Sequence, residues 1–370
     1  MTNGDLQSQT ISFLRFPLII GVVLIHSRFS EVVVNGVDLM KNEIFPIYST
    51  ISYLFSNVFS AIAVPLFYFI SGFLFFHKTV SFTGRIYWLK LKKRARTILI
   101  PYIVWNLLII ALFFMTQTFL PELISGKNLS ISDYTISDWA WAFWNTNMIN
   151  GSATGTEGGS YPICFQFWFL RDLMVVMLFS PLIYFLLKKL RQCVILCLGI
   201  LWFWGWWFDI TGFSITAIFF FSAGAYFSIQ KKNFVECMKP LLPVAIILYV
   251  LVVIADLCFL NRQLAGFLYS IEVLIGIIVS VTLVAHFIEK GKWRVNSFLA
   301  DSSFFIYAYH GMTLTFVMKF MFKLLEPYSE GMMLTLYVLC PTITILIGLF
   351  IYKYMKKYLP KTTAFITGGR

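Results

Sequence analysis

Ten apolar runs alternate with polar or basic segments along this chain, at roughly 11–29, 51–76, 98–120, 163–187, 193–208, 213–229, 241–260, 264–288, 303–325 and 332–354. A helix needs about 20 apolar residues, with a range of about 17 to 25, to cross the hydrocarbon core of a bilayer. Only a structure that satisfies its own backbone groups survives there. The pattern therefore predicts an all-α, polytopic membrane helix bundle with about ten transmembrane helices. The fifth and sixth runs are short, and Asp209 to Gly212 is their only separator. One broken hairpin is the alternative reading of that pair. Neither end carries a polar domain, and no internal repeat is visible, so residues 1–370 read as a single membrane-embedded domain.

The basic residues give the bundle its orientation. Segment 77–97 holds seven: Lys78, Arg85, Lys90, Lys92, Lys93, Arg94 and Arg96. Three more fall at 188–191, three at 231–239, three at 290–294 and five from Lys353 to Arg370. The alternate loops hold one or two each, namely Arg28 with Lys41, then Lys127, then Arg262. Short loops rich in Lys and Arg stay in the cytoplasm, which places both termini inside. The net charge of +12 is thus a topology signal, and no nucleic-acid partner is expected.

Composition agrees. The chain is 59% hydrophobic and 12% charged, against about 25% charged for a soluble domain. Its 40 Phe, 18 Tyr and 11 Trp suit lipid-facing surface and interfacial belts. No cleavable signal peptide is expected, because the first run lacks a basic leader and contains Arg15 and His26. The six cysteines are scattered without a C-x-x-C pair, so they read as packing residues; neither a disulfide framework nor a metal site is expected. Residues 121–162 form a long external segment, rich in Gly, Ser, Thr and Asn around Asn145–Ser160. Loops of that length in compact proteins are usually functional or disordered. Trp139, Trp141 and Trp144 lie before its polar part, as interfacial belt residues or as faces for stacking on a sugar.

Ionisable side chains inside a spanning helix are costly, at least about 2.5 kcal/mol at the bilayer centre, so those present are informative. Arg15 and His26 are eleven residues apart on the first helix. Eleven residues make about three turns and about 16 Å of rise, so both share one face. Arg15 falls in the inner part of the membrane and His26 toward the outer half. A snorkelling arginine and a hydrogen-bonded core histidine would look the same. His310 lies mid-helix, with Tyr307 one turn before it and able to orient its ring. Arg171 and Asp172 follow Trp168 near the outer interface and read as a local pair. Asp256 and Glu272 read as polar packing groups, His77 and His286 as interfacial. Lys90, Lys92, Lys93, Arg94 and Arg96 precede the helix that opens near Pro101. Clustered cations at a membrane face attract phosphate, from a lipid headgroup or from a nucleotide.

Together these segments resemble the acyltransferase-3 family of bacterial integral membrane acyltransferases. Arg15-x10-His26 is similar to its first-helix signature. Val64-Pro-Leu-Phe-Tyr-Phe-Ile-Ser-Gly-Phe-Leu74 resembles its second-helix segment. Lys93-Arg-Ala-Arg96 followed by Ile100-Pro-Tyr-Ile-Val-Trp105 resembles its basic motif and the helix after it. Phe167-Trp-Phe-Leu170 and the stretch from Ser303 to His310 follow in order. One position departs. Lys93 stands where the family usually has the first arginine of Arg-x-x-Arg, keeping the charge but not the bidentate fork.

The resemblance implies an enzyme of a bacterial inner membrane that moves an acyl group, usually acetyl, from cytoplasmic acyl-coenzyme A to a hydroxyl of a glycan or lipid-linked glycan. Acetyl-CoA is then a donor substrate, with no permanently bound cofactor and no metal. A hydroxyl needs a base to become a nucleophile near neutral pH, and neutral imidazole suits that task, which points to His26. A covalent acyl-histidine is the variant if the acyl group is relayed across the membrane. Arg15 would hold a phosphate or polarise the thioester, and Lys93, Arg94 and Arg96 would bind the nucleotide phosphates. Ser71 and Tyr102 would line the donor path, while Trp168, Arg171, Tyr307 and His310 would bind or orient the acceptor. A transporter or flippase for a glycan or small polar solute is the rival reading; it would show matched, broken half-chains, which this sequence lacks.

Overall fold

The computed structural model describes residues 3–29, 33–34, 37–38, 45–79, 81–119, 129–149, 160–258 and 262–369. Lys41 and Lys127 of the expected external loops, with all of 121–128 and 150–159, lie outside the described residues. Apart from a two-residue antiparallel pairing of Val33–Val34 with Val37–Asp38, the regular structure is helical. In chain order the helices are α1 (Asn3–Ile25), α2 (Pro46–Tyr53), α3 (Ala63–Phe76), α4 (Gly84–Arg94), α5 (Ile100–Phe119), α6 (Ile136–Ala142), α7 (Trp168–Leu178) and α8 (Ser180–Leu190). They continue as α9 (Gln192–Phe203), α10 (Ile215–Ile229), α11 (Phe234–Met238), α12 (Leu242–Cys258), α13 (Arg262–Glu289), α14 (Ser297–Leu325), α15 (Glu330–Tyr358) and α16 (Pro360–Thr367).

Every one of the ten apolar runs falls on helix, yet length and apolarity single out six: Gly4–Ile25, Pro46–Phe76, Gly84–Phe119, Phe234–Cys258, Leu264–Glu289 and Glu330–Tyr358. The expected ten are not reached by this criterion, for three physical reasons. Helices α7 and α8 share one run but bend by 62° at Phe179, where Pro181 has no N–H to continue the α7 ladder. The short fifth and sixth runs give α9 and α10, of 12 and 15 residues, about 18 and 22 Å long against a core of about 30 Å. They pack side by side, with Trp202 stacked on Phe219 at 5.5 Å. Helix α14 has 29 residues, but Ser302, Ser303 and His310 are buried along it and dilute its apolar character. The chain is a multi-pass membrane protein.

Two compact units are distinguishable. The first comprises Met1–Thr79, Leu186–Trp206 and Phe219–Lys353, and the second Val80–Phe185, Trp207–Ile218 and Tyr354–Arg370. In the first, α1 packs against α14, α13 and α3, and α12 lies along α13. Helices α3 and α10 touch backbone to backbone. A Cβ on Gly72 would sit 1.9 Å from the Phe221 carbonyl oxygen, and one on Gly224 would sit 1.8 Å from that of Phe69. No side chain fits at either point, so the Ser71-Gly72 step serves as a small-residue helix crossing.

In the second unit, α4 passes into α5 through a wide π turn, Ala95–Leu99. Helix α16 packs on α5, where the Trp105 indole N–H donates to the Ile366 carbonyl at 3.0 Å. The Asn106 amide bridges the Tyr102 carbonyl, at 2.7 Å, and the Cys164 N–H, at 3.0 Å. Residues from the long external segment then close on α5. Ile131, Ala142 and Ile149 form a buried cluster with Ile110. Helix α6 is fixed by a capping box, in which the Thr135 hydroxyl accepts from the Asp138 N–H and the Asp138 carboxylate accepts from the Thr135 N–H.

Candidate active site

Helix α1 ends by tightening around His26. The His26 N–H donates to the Val23 carbonyl at 3.2 Å, and the Ser27 N–H to that of Leu24 at 3.0 Å, both one residue shorter than an α bond. Those two carbonyls would otherwise be among the orphaned acceptors of a helix end. Each takes a second, side-chain bond instead. The Ser27 hydroxyl donates to Val23 at 2.7 Å, and the Ser56 hydroxyl to Leu24 at 2.6 Å.

The partly buried His26 ring faces His310 of α14, with ring centroids 5.6 Å apart and planes 30° apart. His310 is fully buried. Its Nδ1 lies 2.7 Å from the backbone carbonyl of Tyr307. A carbonyl oxygen only accepts, so Nδ1 carries the proton, and the neutral ring presents a lone pair at Nε2. That Nε2 has no hydrogen-bond partner among the described residues. Tyr307 thus orients the ring through its main chain, and its own ring lies 6.1 Å away. A buried, unclaimed imidazole lone pair next to a second imidazole can accept a proton.

Arg15 sits lower on α1, partly buried, where the charge of Asp301 on α14 acts on its guanidinium. Ser71 is half-buried on α3 in the same unit. The remaining sequence-derived residues belong to the second unit. Lys93 and Arg96 are exposed and Arg94 is half-buried, at the end of α4 and in the π turn that follows. The Tyr102 ring stacks on Phe167 at 5.6 Å, and its hydroxyl donates to the Phe143 carbonyl, so it ties the external segment to α5. Trp168 opens α7 and is partly buried.

Arg171 and Asp172 do form a local pair, and it is a buried one. Both side chains are at most 5% accessible, with Nη2 2.9 Å from the carboxylate. Nη1 donates to the carbonyls of Trp144 and Ser160, at 2.7 and 2.9 Å. His77 lies tilted against Phe73 at the end of α3, and His286 meets Phe287 edge to face. The Tyr53 hydroxyl donates to Asp256 at 2.8 Å, and Glu272 is buried on α13. All six cysteines are free thiols; Cys164 and Cys340 are packed inside as expected, while the other four are exposed. No cluster of metal-capable side chains occurs among the described residues.

Sequence reasoning passed over Ser56, Tyr337, Tyr48 and Glu330. The Tyr337 hydroxyl lies 2.7 Å from that of Ser56. The Tyr48 hydroxyl accepts from the Phe29 N–H at 2.9 Å, and the Glu330 carboxylate accepts from the N–H groups of Ile47 and Tyr48. The visible signal was Ser52, Ser56 and Ser60 recurring at four-residue spacing inside an apolar run.

A family model described as an acyltransferase domain, that of acyltransferase-3, matches residues 9–353. The chain belongs to the acyltransferase-3 family. The match takes in both the His26–His310 pair and the basic end of α4. The succinoglycan biosynthesis protein ExoH of Rhizobium meliloti (strain 1021) is 24% identical over 197 residues, which is 52% of this acyltransferase-3 chain and 46% of that protein. The chain thus spans about half the length of the curated relative it matches. No solved structure matches it.

Proposed function

We propose that this protein is an O-acyltransferase of a bacterial inner membrane, moving an acetyl group from cytoplasmic acetyl-CoA to a hydroxyl of a glycan or lipid-linked glycan outside. The observation that carries the reading is the pair of facing imidazoles, His26 and His310, in a chain of the acyltransferase-3 family. The succinoglycan role printed in the name of its relative favours a glycan acceptor. The alternation of basic and charge-poor loops supports ten crossings with both termini in the cytoplasm.

In the proposed reaction His26 removes the acceptor hydroxyl proton as its oxygen attacks the thioester carbonyl. The C–S bond breaks, and the departing thiolate takes that proton from the imidazolium. His310, its Nε2 lone pair turned free by the Tyr307 carbonyl, backs the cation that forms on His26. Arg15 polarises the thioester or holds a donor phosphate. Lys93, Arg94 and Arg96 bind the nucleotide phosphates, with Ser71 and Tyr102 along the donor path. Trp168 and Arg171 were candidates for the acceptor, but the buried bonds of Arg171 favour a structural role.

The test is titration of the full-length protein in detergent with acetyl-CoA. Wild type should bind it and slowly release free thiol without an acceptor, whereas a transporter would leave it intact. Arg94→Ala with Arg96→Ala should weaken binding by at least about tenfold, as expected when two charge-assisted phosphate contacts are lost. Unchanged binding would return those cations to a topological role alone.

A further inference from the structure

The turn that carries His26 is held from outside its own helix by an ordered chain of two hydroxyls. Ser56 has one O–H, and it donates to the Leu24 carbonyl at 2.6 Å. The 2.7 Å contact between Ser56 and Tyr337 must therefore run the other way, with the tyrosine O–H donating to the serine oxygen. The order is Tyr337, then Ser56, then the main chain two residues before His26. Ser56 and Tyr337 are both buried, at 3% and 2% exposed.

The surrounding structure is shaped to deliver it. Ser56 lies in a π-helical turn, Leu54–Val58, followed directly by a 3-10 turn, Phe59–Ile62. Wide turns of this kind re-aim side chains and recur at functional sites. The Ser60 hydroxyl takes up the Phe55 carbonyl at 2.7 Å, compensating for the altered ladder. Beyond His26 the chain is pinned again, by the Phe29 N–H to the Tyr48 hydroxyl and by Arg28 to the Asn57 amide oxygen at 2.8 Å. The Glu330 carboxylate in turn caps the start of α2, so α15 supplies both Tyr337 and the group that fixes Tyr48.

We propose that the Tyr337–Ser56 pair is the positioning device of the acyl-transfer base, holding the Leu24–Ser27 turn so that the His26 ring stays against His310. The inference rests on the reading of His26 as base. It assigns Ser56 and Tyr337 to the rate of transfer and not to substrate binding. Without the tether the turn keeps its bonds to Val23 and to the Ser27 N–H, so it relaxes but does not unravel.

The probe is acetyl-CoA turnover by the full chain, read as thiol release, with wild type and His26→Ala as references. Ser56→Ala should lower kcat by roughly ten- to a hundredfold, the scale of a base displaced by up to about 1 Å, with KM for acetyl-CoA changed less than about twofold. Tyr337→Phe, which removes one oxygen and no volume of consequence, should lower kcat in the same sense but less. The double variant should be no worse than Ser56→Ala, because both act through one bond. Wild-type kcat in Ser56→Ala, or a raised KM at unchanged kcat, overturns the inference while leaving the base assignment standing. More than about a tenth of wild-type turnover in His26→Ala would instead overturn the reading beneath it. If Ser56→Ala does not yield folded protein, Tyr337→Phe decides alone: wild-type kcat there overturns the proposal.

Discussion

His26→Ala is expected to lower acyl transfer by about 100- to 10,000-fold, the usual scale for loss of a general base, in a protein that still inserts, purifies as one species and binds coenzyme A. The ring is only partly buried, so truncating it leaves a small packing defect, far short of such a loss. Its main-chain turn keeps the bonds of Ser27 and Ser56 to Val23 and Leu24, none of which involves the imidazole. What disappears is a basic nitrogen facing a second imidazole. His310→Ala should reduce transfer less, because that ring backs the base and does not meet the hydroxyl. The measurement is single-turnover transfer from acetyl-CoA in detergent or vesicles. If His26→Ala keeps more than about a tenth of wild-type turnover, it is not the base. Should His310→Ala then be the inactive variant, the free Nε2 of His310 takes the role and the two histidines exchange places.

The helices were legible because lipid imposes a simple rule: a long apolar run has to satisfy its own backbone, and each of the ten runs is helical over most of its described length. Their interruptions were less so. Pro181 sits in plain view inside one run, but whether a proline kinks or ends a helix depends on what refills the missing bond. The wide turn at Leu54–Val58 leaves no mark in composition, since it comes from tertiary bonds that outweigh local ladder geometry.

The site shows the same division. The eleven-residue spacing puts Arg15 and His26 on one face of one helix; the structure has Arg15 on α1, which packs against α14, and His26 in the turn just past the end of α1. That His310 would meet His26 depended on how α1 and α14 pack, which no spacing within either helix encodes. The hydroxyl one turn before His310 drew notice, yet the carbonyl of the same residue does the orienting. Every residue carries a carbonyl, so no sequence pattern marks that one out. Ser71 reads as donor-path chemistry, and at the neighbouring Gly72 the structure shows why packing alone demands a small residue.

Arg171→Ala is expected to destabilise the protein by about 3–5 kcal/mol, the cost of breaking a buried ion pair from one side. An exposed pair of the same residues would be worth about 0–1 kcal/mol, so accessibility decides the magnitude. The Arg171 and Asp172 side chains are 3% and 5% accessible. The guanidinium also bonds the carbonyls of Trp144 and Ser160, and lies 5.6 Å from the Trp144 ring centre. Truncation therefore strands a buried carboxylate and takes the donor from two part-buried carbonyls at once. Asp172→Asn should cost less, since an amide oxygen still accepts from the guanidinium. Denaturant unfolding in detergent, read by tryptophan fluorescence, measures the change, and acetyl-CoA turnover by the remaining folded fraction separates stability from chemistry. The structural role predicts lost stability with near-normal turnover per folded molecule. Stability within about 0.5 kcal/mol of wild type, the ordinary range of a surface substitution, combined with lost transfer would instead return Arg171 to the acceptor.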